Sequence, residues 1–143
     1  MKISAVVCTY NREKYILDSL TSLRDQTLHE SLYEIILVDN NSTDATALKC
    51  MEFGQNATHI NYHYYKETKQ GLSYARNRGI ALAQGEFIVF LDDDAVASKN
   101  YLEEIVSFFD SHSEVSAIGG RIFPKYEQPK PVWMPDVDRK SVV

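Results

Sequence analysis

The chain has 143 residues, 44% of them hydrophobic and 24% charged, with a formal net charge of −5. That is one ordinary globular domain, long enough to bury roughly two-thirds of its unfolded surface. The acidic balance excludes a general nucleic-acid binder, and no run approaches the ~20 apolar residues of a membrane span. Two cysteines, Cys8 and Cys50, make no disulfide framework and sit in no metal-ligand spacing, so Cys8, in an apolar run, is expected as a buried thiol. The only apolar stretch near the N-terminus is short, which argues against a signal peptide and for a reducing cytoplasm.

Ile3-Ser4-Ala5-Val6-Val7-Cys8 reads as a first strand, closed by the polar turn Thr9-Tyr10-Asn11-Arg12. That turn is a candidate binding loop. Asn11 is also placed to cap a helix with Ile16, Leu17, Leu20 and Leu23 on one face. Tyr33-Glu34-Ile35-Ile36-Leu37-Val38 reads as a second, buried strand, and it ends in an acid, Asp39. The turn Asn40-Asn41-Ser42-Thr43-Asp44 follows, then a helix with Ala45, Leu48 and Met51 inward. Asp39 either stabilises this turn or accepts hydrogen bonds from a ligand lying across the strand ends.

Ile60-Asn61-Tyr62-His63-Tyr64-Tyr65 alternates, as an edge-proximal strand does, with His63 a half-exposed sheet residue. After the loop from Lys66 to Gly71, the segment from Leu72 to Ala83 reads as a helix with Leu72, Ala75, Gly79 and Leu82 or Ala83 inward. Its Arg76 and Arg78 are the cations this acidic chain can offer a phosphate. Glu86-Phe87-Ile88-Val89-Phe90-Leu91 then reads as a strand buried on both faces, stopped by Asp92-Asp93-Asp94. If the pleat continues, Asp92 and Asp94 point one way and Asp93 the other. Two carboxylates about 5 Å apart repel by roughly 3 kcal/mol at an effective dielectric near 20. Hard oxygen ligands at a strand's carboxyl end suit Mg²⁺ or Mn²⁺ shared with substrate phosphates. Farther on, Ser98 can cap a helix with Leu102, Ile105, Val106 and Phe109 at core spacing. A further strand is expected over Val115 to Ile118, closed by Gly119-Gly120. All four prolines (Pro124, Pro129, Pro131, Pro135) and Trp133 follow, where regular structure is not expected. Strands alternating with helices in this order specify a parallel, right-handed α/β sheet, with Asp39 and the acidic triplet on one edge.

Four stretches together resemble the family 2 glycosyltransferases of GT-A fold. They are Val7 to Arg12, Val38 to Asp44, Gly71-Leu72-Ser73-Tyr74-Ala75-Arg76-Asn77-Arg78-Gly79-Ile80, and Phe90 to Asp94. The resemblance, in order and spacing, spans most of residues 1–120. It implies a Rossmann-like, open, twisted, mostly parallel sheet flanked by helices and truncated after its nucleotide-binding half. Residues 1–120 would be a nucleotide-sugar-binding domain, and 121–143 a proline-rich extended tail toward a missing acceptor-binding part. It implies donor contacts from Thr9, Tyr10, Asn11, Arg12, Asp39, Asn41, Arg76, Asp92 and Asp93, with Asp94 and Asp92 on Mn²⁺ or Mg²⁺. The implied activity is inverting transfer of a sugar from a nucleoside diphosphate sugar, a UDP-sugar by preference, to a saccharide or other hydroxyl acceptor in glycan synthesis. Its partners would be that donor and acceptor and no nucleic acid, with peripheral membrane association through the acceptor and a homodimer as further expectations. The catalytic base is expected beyond Val143. Two rivals remain: a sugar-nucleotide-binding fragment without turnover, and a haloacid dehalogenase-like phosphatase, whose DxDx(T/V) pattern Asp92 to Val96 also fits.

Overall fold

The computed structural model describes residues 1–124. Its elements, in chain order, are β1 (Ile3–Thr9), α1 (Ile16–Arg24), a 3-10 turn (Glu30–Leu32), β2 (Tyr33–Asp39), α2 (Thr46–Asn56), β3 (Asn61–Lys66), α3 (Leu72–Leu82), β4 (Phe87–Asp92) and α4 (Tyr101–Ser111). Packing divides the chain after Phe108, and every strand lies in the unit Met1–Phe108. The four strands form one sheet in the order β3-β2-β1-β4, each neighbour parallel. The chain steps outward from β1 to β3 and then returns across β1 to β4. Right-handed crossovers therefore put α1 and α2 on one face and α3 on the other. On the α3 face, Val6, Ile36 and Val38 pack against Ala75, with Cys8, Tyr65, Leu82 and Ala83 around them.

Continuous apolar runs explain the middle of the sheet. β1 and β2 are covered on both sides and are buried along almost their whole length. β4 departs from expectation. It pairs with β1 alone among the described residues, and only Val89 is buried, while Ile88 and Phe90 are 39% and 40% exposed. Its sequence matches a central strand, but burial depends on the neighbours a strand finds. The strand expected over Val115 to Ile118 does not form. Val115 N–H closes a turn onto His112 O instead, with no strand alongside to complete a ladder.

Helix phases also shift. α1 buries Ile16, Ser19, Leu20 and Leu23 but leaves Leu17 exposed. Asn11 does not cap it. The helix begins after Tyr15, and Asn11 takes positive φ (53°) with its side chain on Thr43. α2 buries Thr46, Cys50 and Phe53 rather than Leu48 and Met51, which are exposed. Its rotation is set by the Tyr62 ring, which lies 5.2 Å from that of Phe53 and donates its hydroxyl to Cys50 O. α3 buries Ala75 and Gly79, while Leu72, expected inward, is exposed at the helix start. α4 buries Leu102 and Ile105 as expected. Its first turn is held by Gln26, which accepts from Leu102 N–H and donates to Ser98 O, rather than by the Ser98 hydroxyl. Cys50 is buried, and Cys8 is half-buried rather than enclosed. His63 is half-exposed, with Nε2 3.7 Å from the buried carboxylate of Glu34. Of the proline-rich segment only residues 121–124 are described; Pro129, Pro131, Trp133 and Pro135 lie outside the described residues.

α3 can lie this close to β1 because position 79 has no Cβ. One built there would stand 2.4 Å from Val6 Cγ1, inside the packed core. Alanine is the better helix former by about 1 kcal/mol, but overpacking a core costs about 1–3 kcal/mol. Gly79→Ala is therefore expected to lower the urea midpoint. A midpoint at or above that of the unchanged chain would contradict this packing.

Candidate functional site

The return of the chain from β3 to β4 creates a topological switch point between β1 and β4. Ligands of open α/β sheets bind outside the carboxyl ends of the strands at such a point. Register brings the ends together: Thr9 stands opposite Asp39, and Cys8 opposite Asp92. Two hollows open there. A cleft of about 200 Å³ is lined by Thr9, Tyr10, Asn40, Gln70, Gly71 and Ala75, together with Cys8 and Leu72. A smaller hollow of about 10 Å³ shares Cys8 and Leu72 with it and adds Arg76, Phe90 and Asp92.

The loops around the cleft are fixed by polar side chains. Asn11 N–H donates to Ser42 Oγ at 3.0 Å, and Asn11 Oδ1 accepts from Thr43 N–H at 2.8 Å. Arg12 N–H donates to Thr46 Oγ1 at 2.8 Å. Asn11 and Asn41 both take positive φ, a conformation asparagine tolerates better than most residues. Asp39 is fully buried: Oδ1 accepts from Ser42 N–H at 2.9 Å and Oδ2 from the Tyr64 hydroxyl at 2.8 Å. Burial first, then the bond to Asp39 and its charge, push the Tyr64 phenol above its ordinary pKa. Of the residues singled out in the sequence, Thr9 and Tyr10 wall the cleft. Asn11 braces the loops, Asp39 lies beneath them, and Asn41 turns the chain without lining either hollow.

The acidic triplet does not follow the pleat. β4 ends at Asp92, and Ala95 N–H turns back onto Asp92 O. One guanidinium, that of Arg12, reaches both Asp93 Oδ1 (3.4 Å) and Asp94 Oδ2 (3.8 Å), while Arg76 lies 3.9 Å from Asp92 Oδ1 and over the Phe90 ring. Asp93 and Asp94 are thus grouped, not Asp92 and Asp94 as alternation predicted. Asp92 and Asp94 have side chains 72% and 51% exposed, against 13% for Asp93. Burial pushes the Asp93 carboxyl above the usual carboxylate range, and the Thr9 hydroxyl and Arg12 pull it partly back. No hydrogen bond of good geometry reaches the buried Thr9 hydroxyl, although it lies near enough to favour the charged form of Asp93. Among the described residues no three His, Cys, Asp or Glu side chains converge into a closed metal cage. Sequence reasoning missed Asn40, Gln70 and Gly71 as lining residues, and Tyr64 as a partner of Asp39. Nothing in the sequence separates Asn40 from Asn41, and the role of Tyr64 depends on the pairing of β3 with β2.

A parallel sheet with crossed loops, a cleft at the switch point and acids beside it is the architecture of an open α/β domain that takes its ligand at the strand ends. The description that fits residues 4–140 is glycosyl transferase family 2, and the chain belongs to that family. It is 32% identical over 138 residues to a glucosyl-dolichyl phosphate glucuronosyltransferase of Haloferax volcanii, covering 95% of this chain and 43% of that protein. It is 33% identical over 131 residues to the poly(ribitol-phosphate) β-N-acetylglucosaminyltransferase TarS of Staphylococcus aureus, covering 87% of this chain and 23% of that protein. The crystal structure of TarS in complex with UDP superposes with a TM-score of 0.72, over 87% of this chain and 38% of that one. The mannosyltransferase PcManGT of Pyrobaculum calidifontis, solved with GDP-Man and Mn²⁺, gives 0.72 at 25% identity, over 76% of this chain and 32% of that one. The fold is GT-A. The chain spans less than half the length of these relatives. The phosphatase alternative falls here, since its motif belongs on a first strand and this one ends β4.

Cys8 borders both hollows, and burial, reinforced by Asp93 and Asp92 against Arg76, pushes its thiol up to about 11 from 9.0. Two pH units cut the reactive thiolate about a hundredfold. Iodoacetamide at pH 7.5 is expected to alkylate the folded chain at Cys8 at least about a hundredfold more slowly than the urea-unfolded chain. Equal rates would contradict the burial.

Proposed function

We infer that the chain is the donor-binding portion of a glycosyltransferase that takes its sugar from a nucleoside diphosphate sugar, UDP-linked, and passes it with inversion to a hydroxyl acceptor in glycan or polysaccharide synthesis. One observation carries the reading: two adjoining hollows at the switch point share Cys8 and Leu72. The larger, between the Thr9-Tyr10 turn and the 70–75 segment, suits the nucleoside; the smaller has room for only about one water, so the diphosphate would lie across its rim, against Arg76 and Asp92. The UDP-bound relative supports the choice of nucleotide. Thr9 and Tyr10 line the nucleoside, with Asn11, Arg12 and Asn41 shaping the loops around it. Asp39 accepts from the base edge when the Tyr64 hydroxyl gives up Oδ2. Arg76 offsets diphosphate charge, and Asp93 with Asp92 orients the ribose side.

The donor set also fits a divalent cation. Mg²⁺ and Mn²⁺ are held by one or two carboxylates together with substrate phosphates, so a closed protein cage is not required. Asp94 would hold it together with the substrate phosphates, and Asp92, expected beside Asp94 but paired with Arg76 here, would join only by turning from that guanidinium. When bound, such a cation neutralises charge developing on the departing diphosphate. The acceptor hydroxyl attacks the face of the sugar opposite that leaving group, and a carboxylate base removes its proton. That base is placed on no described residue. No described helix is long and apolar enough to cross a membrane.

Calorimetry with UDP and UDP-sugars tests this. Affinity is expected to rise about tenfold or more with Mn²⁺. Asp94→Ala, at a half-exposed position, should abolish the metal-dependent part while leaving the melting temperature nearly unchanged. Equal affinity with and without Mn²⁺ in the unchanged chain would refute the metal role. Asp39→Asn is expected to weaken every uracil nucleotide whatever its sugar, since the contact is to the base. A loss confined to one sugar would place Asp39 elsewhere.

A further inference from the structure

We propose that Asn40 is a positioning residue for nucleoside recognition: it fixes the 67–71 loop, so that Gln70 and Gly71 stand as the wall of the cleft facing the Thr9-Tyr10 turn. The proposal rests on the reading of the cleft as the nucleoside site. Asn40 is 4% exposed, and its amide is used at both ends. Nδ2 donates to Glu67 O at 3.1 Å and to Lys69 O at 2.8 Å, and Oδ1 accepts from Gly71 N–H at 2.8 Å. Its own N–H donates to Thr9 O at 2.8 Å. One residue therefore ties the end of β1 to the opposite wall of the cleft.

The pattern needs an amide. A carboxylate of the same shape can still accept from Gly71 N–H, but it sets negative charge against two carbonyl oxygens and leaves them without donors. The held end of the loop is otherwise specialised. Gly71 has φ 136°, a conformation that L side chains rarely adopt, and it begins α3. Lys69 Nζ sits 3.9 Å over the Tyr74 ring, and Glu67 Oε1 accepts from Lys69 N–H at 2.8 Å. Between these anchors Gln70 is exposed at the cleft, its amide without a hydrogen-bond partner among the described residues. Among the described residues the acids closing β4 pair with Arg12 and Arg76 rather than with this loop. Asn40 should therefore govern affinity for the nucleoside and leave affinity for the diphosphate alone.

The test measures UDP and, separately, inorganic pyrophosphate with Mn²⁺ by calorimetry, on the unchanged chain, Asn40→Asp and Gln70→Ala. Asn40→Asp is expected to weaken UDP about tenfold or more while pyrophosphate changes less than about twofold. Gln70→Ala, at an exposed position that does not endanger folding, should weaken UDP several-fold with pyrophosphate unchanged. An Asn40→Asp chain that binds UDP like the unchanged one overturns the proposal and leaves the site reading standing. Parallel loss of both ligands makes Asn40 merely structural and also overturns it. Unchanged UDP affinity in Gln70→Ala overturns it even if the Asn40 variant fails to fold. An unchanged chain that binds pyrophosphate but no UDP removes the nucleoside reading itself, and this inference with it.

Discussion

Three strands stop at one level because the ladder between them is in register, with Thr9 facing Asp39 and Cys8 facing Asp92. All else at the site depends on that alignment. Side chains alternate with a period of two, so a slip of one residue would turn every inward group to the other face. Ile3, Ala5, Val6 and Val7 on β1, and Ile35, Ile36, Leu37 and Val38 on β2, are at most 1% exposed, so both faces are apolar and cannot by themselves choose the register. Buried polar pairs can: the Ser4 hydroxyl donates to Glu34 Oε1 at 2.6 Å between β1 and β2, and the Tyr64 hydroxyl donates to Asp39 Oδ2 at 2.8 Å between β3 and β2. A slip would leave these groups buried without partners, so they level the strand ends from which the polar loops emerge.

Those loops are then set by hydrogen bonds rather than by packing. The turn after β1 reads the turn after β2 through Asn11, Ser42, Thr43 and the Arg12 N–H. Glu13 extends the contact by accepting from Ala45 N–H. Each such bond contributes only about 1 kcal/mol net, but together they hold the cleft open before any ligand arrives. The acids of the triplet are treated differently. They meet guanidinium groups at 3.4 to 3.9 Å across partly exposed surfaces, pairs of the kind that contribute roughly 0–1 kcal/mol. A rigid cleft thus adjoins a loosely neutralised acidic patch, which suits the proposed nucleotide whose phosphates bring a cation.

Much of this was legible in the sequence because parallel strands buried on both faces leave unbroken apolar runs. The runs ending at Cys8 and Val38 predicted β1 and β2, and strand–helix alternation predicted the sheet. The errors share a cause: they concern properties that no single segment owns. The apolar run from Phe87 to Leu91 could not report that β4 would have only one described neighbour. Leu48 and Met51 matched an inward helical face, but Thr46, Cys50 and Phe53 took it because Tyr62 on a separate strand set the rotation of α2. Asn11 had the chemistry of a cap and was used as a brace. Asn40 and Asn41 are the same residue type side by side, and only their backbone geometry separates the one that grips a loop from the one that turns the chain. The family resemblance supplied roles that periodicity could not, and the family match over residues 4–140 establishes the membership.

The central claim is that nucleotide and cation meet at the carboxyl ends of β1 and β4. Amide spectra recorded with UDP-GlcNAc, first with Mg²⁺ and then with paramagnetic Mn²⁺, test it most directly. The account predicts ligand shifts at residues 8–12 and 69–76, with Mn²⁺ broadening centred on residues 92–95. Broadening centred elsewhere, or ligand shifts confined to the opposite ends of the strands near Ser4, Glu34 and Gln84, would contradict it.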